Sequence, residues 1–167
     1  MKCLTPLILL MTTISAHAQP GKASTVRKSF SRETTIVQTI NADPSIVWSL
    51  LTNASDFARW NSTIISLQGN IETGEKIRLK STLDPQRTFK LKIKVLVPER
   101  KLIWGDAMGS RTFTLEKKGI TTHFTMSEKI GGLMFPLFAN KIPSFDQSFE
   151  QFTTDLKKEA ETISQSK

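Results

Sequence analysis

Arg111 and Glu128 are the two side chains in this sequence whose types and positions favour chemistry inside the fold. Glu128 follows Phe124 and Met126 in alternation, which directs its carboxylate to the same face of a predicted strand. Arg111 shares a face with Phe113 on the preceding predicted strand. Because an unpaired buried charge is costly, this pattern predicts either an Arg111–Glu128 pair or an open cavity mouth beside them. The alternative is that Glu128 lies in solvent at the end of its strand.

Other catalytic and metal-binding chemistry has few candidate residues in this chain. Beyond residue 18 there is no cysteine and a single histidine, His123, and the whole chain lacks tyrosine. This composition excludes disulfides, thiolate nucleophiles and zinc sites built on several His or Cys ligands from that part of the chain. His123 alternates with Phe124 and is therefore predicted on the outer face of its strand, away from a substrate. We predict no catalytic residue, no metal and no cofactor.

Alternating apolar and polar residues, separated by turn residues, predict seven antiparallel strands. The first, at 34–40, precedes two short helices at 44–51 and 57–60, and Asp43 should cap the first of them. Six more strands follow, at 63–67, 76–81, 87–97, 101–106, 111–117 and 121–130. Their connections are too short for crossover helices, so neighbouring strands should pair antiparallel in a curved sheet.

The stretch 133–163 has an apolar stripe at helical spacing and contains five of the ten phenylalanines. The stripe predicts a long C-terminal helix, which Pro143 should kink, or break and restart. Only this element is long enough to cover the sheet, so the predicted fold class is α+β. The phenylalanines are either ordinary core or one wall of an apolar cavity.

The first 18 residues have the features of a signal peptide. Lys2 precedes an apolar run at 4–14, and Ala16-His17-Ala18 has the small residues that precede a cleavage site. The run is shorter than the roughly 20 residues of a bilayer span, which disfavours an uncleaved anchor. Residues 19–32 lack periodicity and predict a flexible leader, which leaves 33–164 as the folded domain. We therefore predict a periplasmic or secreted protein.

The charge of the chain suggests one possible partner. The formal net charge of +8 falls to +7 with the signal peptide, since Lys2 is the only charged residue removed. Five basic residues on two predicted strands should form one exposed basic face: Arg78, Lys80, Lys90, Lys92 and Lys94. Such a face keeps a protein soluble or contacts an anionic membrane, where each basic residue contributes about 1 kcal/mol. No nucleic-acid partner is expected for an exported protein, and a monomer is predicted.

Several motifs at both ends of the predicted domain carry a family resemblance. They are INADPSIVWSLLTNASDFARWN at 40–61, Gly69 and Gly74, Gly131-Gly132-Leu133, Pro136-Leu137-Phe138, and LKKEAE at 156–161. With these motifs, residues 33–162 resemble START-like helix-grip proteins, the superfamily of the birch-pollen allergen, START lipid-transfer domains and polyketide cyclases (SRPBCC). The resemblance implies a seven-stranded sheet that grips the C-terminal helix, with an apolar cavity between them.

A cavity of this kind would be walled by the sheet and the C-terminal helix, with Glu128, Arg111 and Asn61 as the candidates for its polar groups. The alternative for Asn61 is that it closes the second short helix through backbone hydrogen bonds. The predicted cavity residues are Leu79, Phe89, Leu91, Trp104, Arg111, Phe113, Phe124, Met126, Glu128, Phe138, Ile142, Phe145 and Phe149. The function predicted from them is binding of a hydrophobic small molecule or lipid. One alternative is a polyketide cyclase or aromatase-like enzyme, in which Glu128 and Arg111 would move protons; another is a protein-interaction module using the basic face. A break at Pro143 would serve as the gate of the cavity.

Overall fold

A computed structural model describes residues 21–166, and the predicted signal peptide at 1–18 lies outside them. Eight strands form one antiparallel sheet in the order β1-β2-β8-β7-β6-β5-β4-β3. Their bounds are β1 Ser24–Lys28, β2 Ser31–Ile40, β3 Ile64–Gln68, β4 Lys76–Ser81, β5 Asp84–Val97, β6 Lys101–Gly105, β7 Gly109–Lys118 and β8 Thr121–Gly131. The helices are α1 Pro44–Thr52, α2 Phe57–Trp60, α3 Phe135–Phe138 and α4 Asp146–Gln165, with 3-10 turns at Ala54–Asp56 and Ala139–Lys141. The α+β helix-grip fold class is confirmed.

The count of seven strands is wrong by one, because β1 lies in the stretch predicted as a flexible leader. All five of its residues pair with β2. Its side chains also reach α4: Thr25 Oγ1 donates to Asp146 Oδ1 at 2.6 Å. Four of the five are exposed, so no apolar alternation marks the strand in the sequence. Backbone pairing with β2, rather than burial of its side chains, therefore keeps β1 ordered as a strand.

The alternation predicted along β5 holds only to Ile93. The register with β6 shifts between Ile93 and Val95, as in a β-bulge, and a bulge reverses the faces that later residues occupy. Leu96 consequently packs against the core, while Val97 is 41% exposed. Lys94, which lies at this bulge, is exposed and bonds to the β6–β7 connection and the start of β7: its Nζ donates to the carbonyl of Asp106 and to Ser110 Oγ at 2.9 and 2.7 Å.

The two short helices pack between the sheet and α4. Asp43 caps α1 as predicted, since its Oδ1 accepts from Ser45 N at 3.0 Å. Asn61, at the end of α2, is buried and donates from Nδ2 to the carbonyl of Phe152 at 3.2 Å. Its Oδ1 accepts from Thr63 N and Oγ1 at 3.1 and 2.6 Å. Asn61 therefore ties α2 to the middle of α4 and is not a cavity residue.

The C-terminal segment is broken at Pro143 and not merely kinked. Ile142 adopts an extended conformation, as expected for a residue before proline, and α4 begins only at Asp146. From Phe149 onward the stripe is core: Phe149, Phe152, Leu156 and Ala160 are at most 1% exposed. They pack with apolar residues of α1 and of β2, β7 and β8. Within residues 21–166, no helix combines the length and apolar character that a membrane crossing requires.

Candidate functional site

A cavity of about 210 Å³ lies where the sheet separates from the beginning of α4. Its apolar walls come from β4, β5 and β6 on one side and from residues 142–145, here called the linker, on the other. Five exposed residues line the cavity at its mouth: Arg87 of β5, Asp106 and Met108 of the β6–β7 connection, Lys141 of the second 3-10 turn and Pro143 of the linker. The break at Pro143 creates this space, because a continuous helix would bring further side chains against β4 and β5.

The structure brings eight of the thirteen predicted cavity residues to this site. They are Leu79, Phe89, Leu91, Trp104, Arg111, Glu128, Ile142 and Phe145. The other five do not line it. Phe113, Phe124, Met126 and Phe149 are at most 1% exposed and belong to the close-packed core, and Phe138 packs edge-on against Phe135 at 5.7 Å. These five share the apolar pattern of the cavity residues, but the first four lie where the sheet and α4 are in contact, and Phe138 lies on α3.

Arg111 and Glu128 form the ion pair that their alternation predicts. Arg111 Nε donates to Glu128 Oε2 at 2.6 Å, and Nη2 lies 2.5 Å from the same oxygen. The two residues face each other across β7 and β8, and their side chains are 13% and 18% exposed. Both contacts use one carboxylate oxygen. Glu128 Oε1 accepts no hydrogen bond from another described residue, which leaves it available to a donor inside the cavity.

The guanidinium of Arg111 also explains why Phe149 does not reach the cavity. Arg111 Cζ lies 5.1 Å from the centroid of the Phe149 ring, so the charged group covers that ring. Phe149 in turn stacks on Phe145, with centroids 6.0 Å apart and an interplanar angle of 7°. Phe145, the last residue of the linker, is therefore positioned by the Phe149 ring on one side and by the linker backbone that precedes it.

Beside the cavity, Arg32 holds the linker in place, although the sequence analysis assigned it to the flexible leader; Met108 and Ser148, which line the cavity, were not predicted either. Arg32 is 4% exposed and donates from Nη1 and Nη2 to the carbonyls of Ile142 and Pro143 at 3.2 and 2.7 Å. Its Cζ also lies 4.6 Å from the centroid of the Phe145 ring. Burial lowers the pKa of the Arg32 guanidinium from its ordinary value. Arg32, Thr34 and Ile36 are every second residue of β2 and therefore share one face, and Thr34 and Ile36 are buried. This spacing is the signal that could have indicated the inward orientation of Arg32.

The remaining sequence candidates lie away from the cavity. Arg78 and Lys90 face each other across β4 and β5 and are exposed, as expected for the basic face. His123 lies opposite Thr39 and Glu116 in its neighbouring strands and is not part of the cavity wall. Among residues 21–166, no group of three or more His, Cys, Asp or Glu side chains could hold a metal ion.

An eight-stranded sheet closed by a C-terminal helix, with a cavity at one end of their interface, defines an α+β helix-grip protein of the START-like (SRPBCC) superfamily. Within that superfamily, the family model described as Activator of Hsp90 ATPase homolog 1-like protein matches residues 41–161. The match includes more than half of the chain, and the chain therefore belongs to this family. No curated protein matches the sequence significantly.

Solved structures share the fold at low sequence identity. A conserved protein of unknown function from Enterococcus faecalis superposes with a TM-score of 0.63 at 17% identity, over 85% of this chain and 78% of that one. The Aha1 dimer from Colwellia psychrerythraea gives 0.60 at 17% identity, over 77% and 96%. DynU16, a putative protein in the dynemicin biosynthetic locus, gives 0.60 at 17% identity, over 79% of this chain but 48% of its own. This chain thus spans about half of DynU16.

Proposed function

We propose that this protein is an exported binding protein that holds a small hydrophobic molecule in the cavity between its sheet and its C-terminal segment. The observation that carries the proposal is an apolar cavity with one ion pair in its wall, Arg111–Glu128. Binding sites for small molecules are typically concave and mostly apolar, with a few placed polar groups. The family match supports the fold of such a protein, and the cavity supports the binding.

The volume of the cavity limits the size of the ligand. A space of about 210 Å³ exceeds the roughly 150 Å³ of an engineered cavity that accepts benzene. It is below the roughly 300 Å³ at which sites for drug-sized ligands begin. We therefore expect a single-ring compound or a short acyl chain, and a lipid would place only part of one chain inside.

The ion pair offers the polar groups of a ligand one hydrogen-bond acceptor and one donor. Glu128 Oε1 accepts no described hydrogen bond and can accept one from a hydroxyl or amine of the ligand. Arg111 can donate to a carbonyl or carboxylate from a guanidinium nitrogen that Glu128 does not use. An amphipathic ligand with a hydroxyl beside a carbonyl would satisfy both partners, whereas a pure hydrocarbon would satisfy neither.

A thermal-shift series on the full chain tests the proposal. At a ligand concentration about 100-fold above Kd, binding stabilises a protein by about 2.7 kcal/mol, which raises the Tm of a domain of this size by several degrees. Benzoate, hydroxybenzoates, octanoate and a short quinone cover the expected chemistry. Ser148 lines the cavity from α4, so Ser148→Trp should fill the space and abolish the shift.

Gln151→Trp is the matched control, because Gln151 is exposed on the same helix and lies outside the cavity. It should respond like the unaltered chain. If no compound shifts the Tm of the unaltered chain, or if Ser148→Trp responds as strongly as Gln151→Trp, the cavity is not the binding site.

An enzyme using the same cavity is the second candidate. The observation in its favour is Glu128, which lines the cavity and whose Oε1 has no described donor, so that it could accept a proton from a bound carbonyl compound. The two candidates differ in what happens to the bound molecule. Recovery of an unchanged ligand after incubation supports binding, whereas a chemically altered product that Glu128→Gln fails to form supports catalysis.

Export is the part of the proposal supported by sequence alone. It depends on the apolar run at 4–14 and on the small residues Ala16 and Ala18. N-terminal sequencing of the protein recovered from the periplasm or culture medium should begin at Gln19. An intact N-terminus in the cytoplasmic fraction would contradict it.

A further inference from the structure

Five large apolar side chains are exposed together beside the mouth of the cavity. We call this set the apolar tip: Phe30, Met108, Leu133, Met134 and Leu137. Leu133 and Leu137 are 89% and 72% exposed, although the fold buries most of its other leucines. Single exposed apolar residues are common on proteins, but a contiguous group of them marks an interaction site.

Backbone hydrogen bonds hold the members of the apolar tip together. Gly132 N donates to the carbonyl of Phe30, and Gly131 N donates to that of Met108, both at 3.0 Å. These bonds join the β1–β2 turn, the β6–β7 turn and the end of β8. A side chain at Gly131 would place a Cβ 2.7 Å from the Phe30 carbonyl, and Gly132 has a φ of 131°. Both glycines are therefore needed to place Leu133 and Met134 beside Phe30.

The surroundings of the apolar tip are basic. Arg27 and Lys28 precede Phe30, Lys129 lies two residues before the end of β8, and Lys141 follows α3, all four of them exposed. The exposed acidic residues in the same segments are Glu33 and Asp106, and Asp106 uses Oδ1 to cap the amides of Met108 and Gly109. The region therefore has a clear positive excess around an apolar centre.

We propose that the apolar tip and its basic surroundings dock on an anionic lipid surface, with the cavity mouth facing the bilayer. Peripheral membrane binding increases with buried apolar area and with attraction between basic residues and anionic headgroups, and the tip supplies both. A second copy of this chain fits less well, because two-fold symmetry would bring the same lysines of two copies together. Met108 belongs both to the tip and to the cavity wall, so docking would place the mouth at the membrane. Only the link between docking and ligand uptake depends on the proposed function.

The test uses the full chain with Cys3→Ser and one environment-sensitive fluorophore on an introduced cysteine. Leu137→Cys reports on the apolar tip. Ile120→Cys is the matched control, since Ile120 is 89% exposed in the β7–β8 turn, at the other end of those strands. Vesicles of phosphatidylcholine with and without one-third phosphatidylglycerol are the probes. A blue shift at position 137, only with the anionic vesicles and absent at position 120, is the expected result.

Two sets of variants identify the surface responsible. Leu133→Ser combined with Phe30→Ser should weaken binding to the anionic vesicles at least tenfold, and Lys28→Gln and Lys129→Gln about fivefold each. Lys90→Gln with Lys92→Gln, on the basic face of the sheet, should have a smaller effect. Vesicle binding lost only in the Lys90/Lys92 variant would overturn the proposal in favour of the basic face.

Three other results would also contradict the proposal: equal responses at positions 137 and 120, no response at either, or a blue shift at 137 that precedes vesicle addition. The last would indicate that another chain segment or a second copy covers the tip. The vesicle measurements use protein without added ligand. Docking can therefore succeed or fail independently of the thermal-shift result.

Discussion

Phe145 and Phe152 lie two helical turns apart in the C-terminal segment and have opposite surroundings. The Phe152 ring is 5.9 Å from Trp60, 5.9 Å from Phe113 and 6.3 Å from Phe57, measured between centroids, and this end of the interface is closely packed. Phe145 has one aromatic neighbour, Phe149, and one face toward the cavity. The same residue type at the same helical spacing is therefore core at one end and cavity wall at the other.

The difference arises from what precedes each residue, and not from the residue itself. Phe152 lies inside α4 and is positioned by regular helical hydrogen bonds. Phe145 is the last residue of the linker, in which the carbonyls of Ile142 and Pro143 accept hydrogen bonds from Arg32 because the chain around Pro143 is not helical. A helix-grip cavity thus requires a segment that is ordered without being a helix, and a buried cation supplies that order here.

The largest expected effect is on the closely packed end. Phe152→Ala should lower the free energy of unfolding by about 3–5 kcal/mol, because a large side chain is removed from a full core. Phe145→Ala should cost less, about 1–2 kcal/mol, since part of its surface already faces an empty space. Urea unfolding monitored by tryptophan fluorescence measures both. Equal losses would mean that the two ends do not differ in packing.

Arg32→Met should release the linker at a cost of about 2–3 kcal/mol, since two hydrogen bonds from a charged donor are lost. The effect should be local: the substitution should increase the rate of amide hydrogen exchange more at residues 142–149 than in β7 or β8. Arg27→Met is the control, because Arg27 is exposed on the same hairpin. Uniformly faster exchange across the sheet would indicate a general core role for Arg32.

Arg111→Met should cost about 1–2 kcal/mol, because Glu128 then loses its partner in a largely buried position, with some relief from water in the open cavity. Replacing both residues, as Arg111→Met with Glu128→Leu, should recover much of that loss. The double variant should nevertheless lose the response to hydroxybenzoates. If the losses of the two single variants add up to the loss of the double variant, the two side chains act independently, and the geometry of the pair is not important.

Pro143→Ala should lower stability by only about 0.5–1 kcal/mol, through the greater flexibility of the unfolded chain. Its effect on the rate of ligand uptake should be larger, because the linker becomes freer to move at the cavity mouth. Stopped-flow binding compared with equilibrium unfolding separates the two quantities. A change in stability without a change in uptake rate would remove the role of Pro143 as a gate.

The smallest expected effect on stability is at Asp43, at the closely packed end of the interface. This effect should depend on pH. The hydrogen bond from Lys117, together with the cap to Ser45, lowers the pKa of the Asp43 carboxyl from 3.8 to about 2. A lowered carboxyl pKa stabilises the folded state above pH 4, and this contribution is lost as the pH falls toward 2. Because Asp43 is partly exposed, Asp43→Asn should cost about 0.5 kcal/mol at pH 6 and nothing near pH 2. A difference independent of pH would contradict the assigned cause.

Periodicity was sufficient to predict most of the fold. The helices α1 and α2, seven of the eight strands and the break at Pro143 follow from local alternation, caps and proline geometry. Strand β1 could not be predicted in this way, because four of its five residues are exposed and its order comes from pairing with β2. The bulge after Ile93 was equally invisible, since Val95 and Val97 continue the apolar alternation that the register shift interrupts.

The site residues divide in the same way, into those that local alternation predicts and those that it does not. The Arg111–Glu128 pair follows from strand alternation, because each residue shares a face with buried aromatic or sulfur-containing neighbours. Phe113, Phe124 and Phe149 were placed in the cavity because the pattern identifies inward residues but not the distance between the two inward surfaces. Arg32 was missed because its hydrogen-bond partners are carbonyls more than a hundred residues away, which a local pattern cannot represent.

Native mass spectrometry of the full chain, purified gently from its own host, tests the central claim most directly. The unaltered protein should carry one small amphipathic molecule per chain. Ser148→Trp, prepared in the same way, should carry none, while Gln151→Trp should retain it. A protein that is empty in all three forms, or one that retains the molecule in Ser148→Trp, would contradict binding in the cavity between the sheet and the linker.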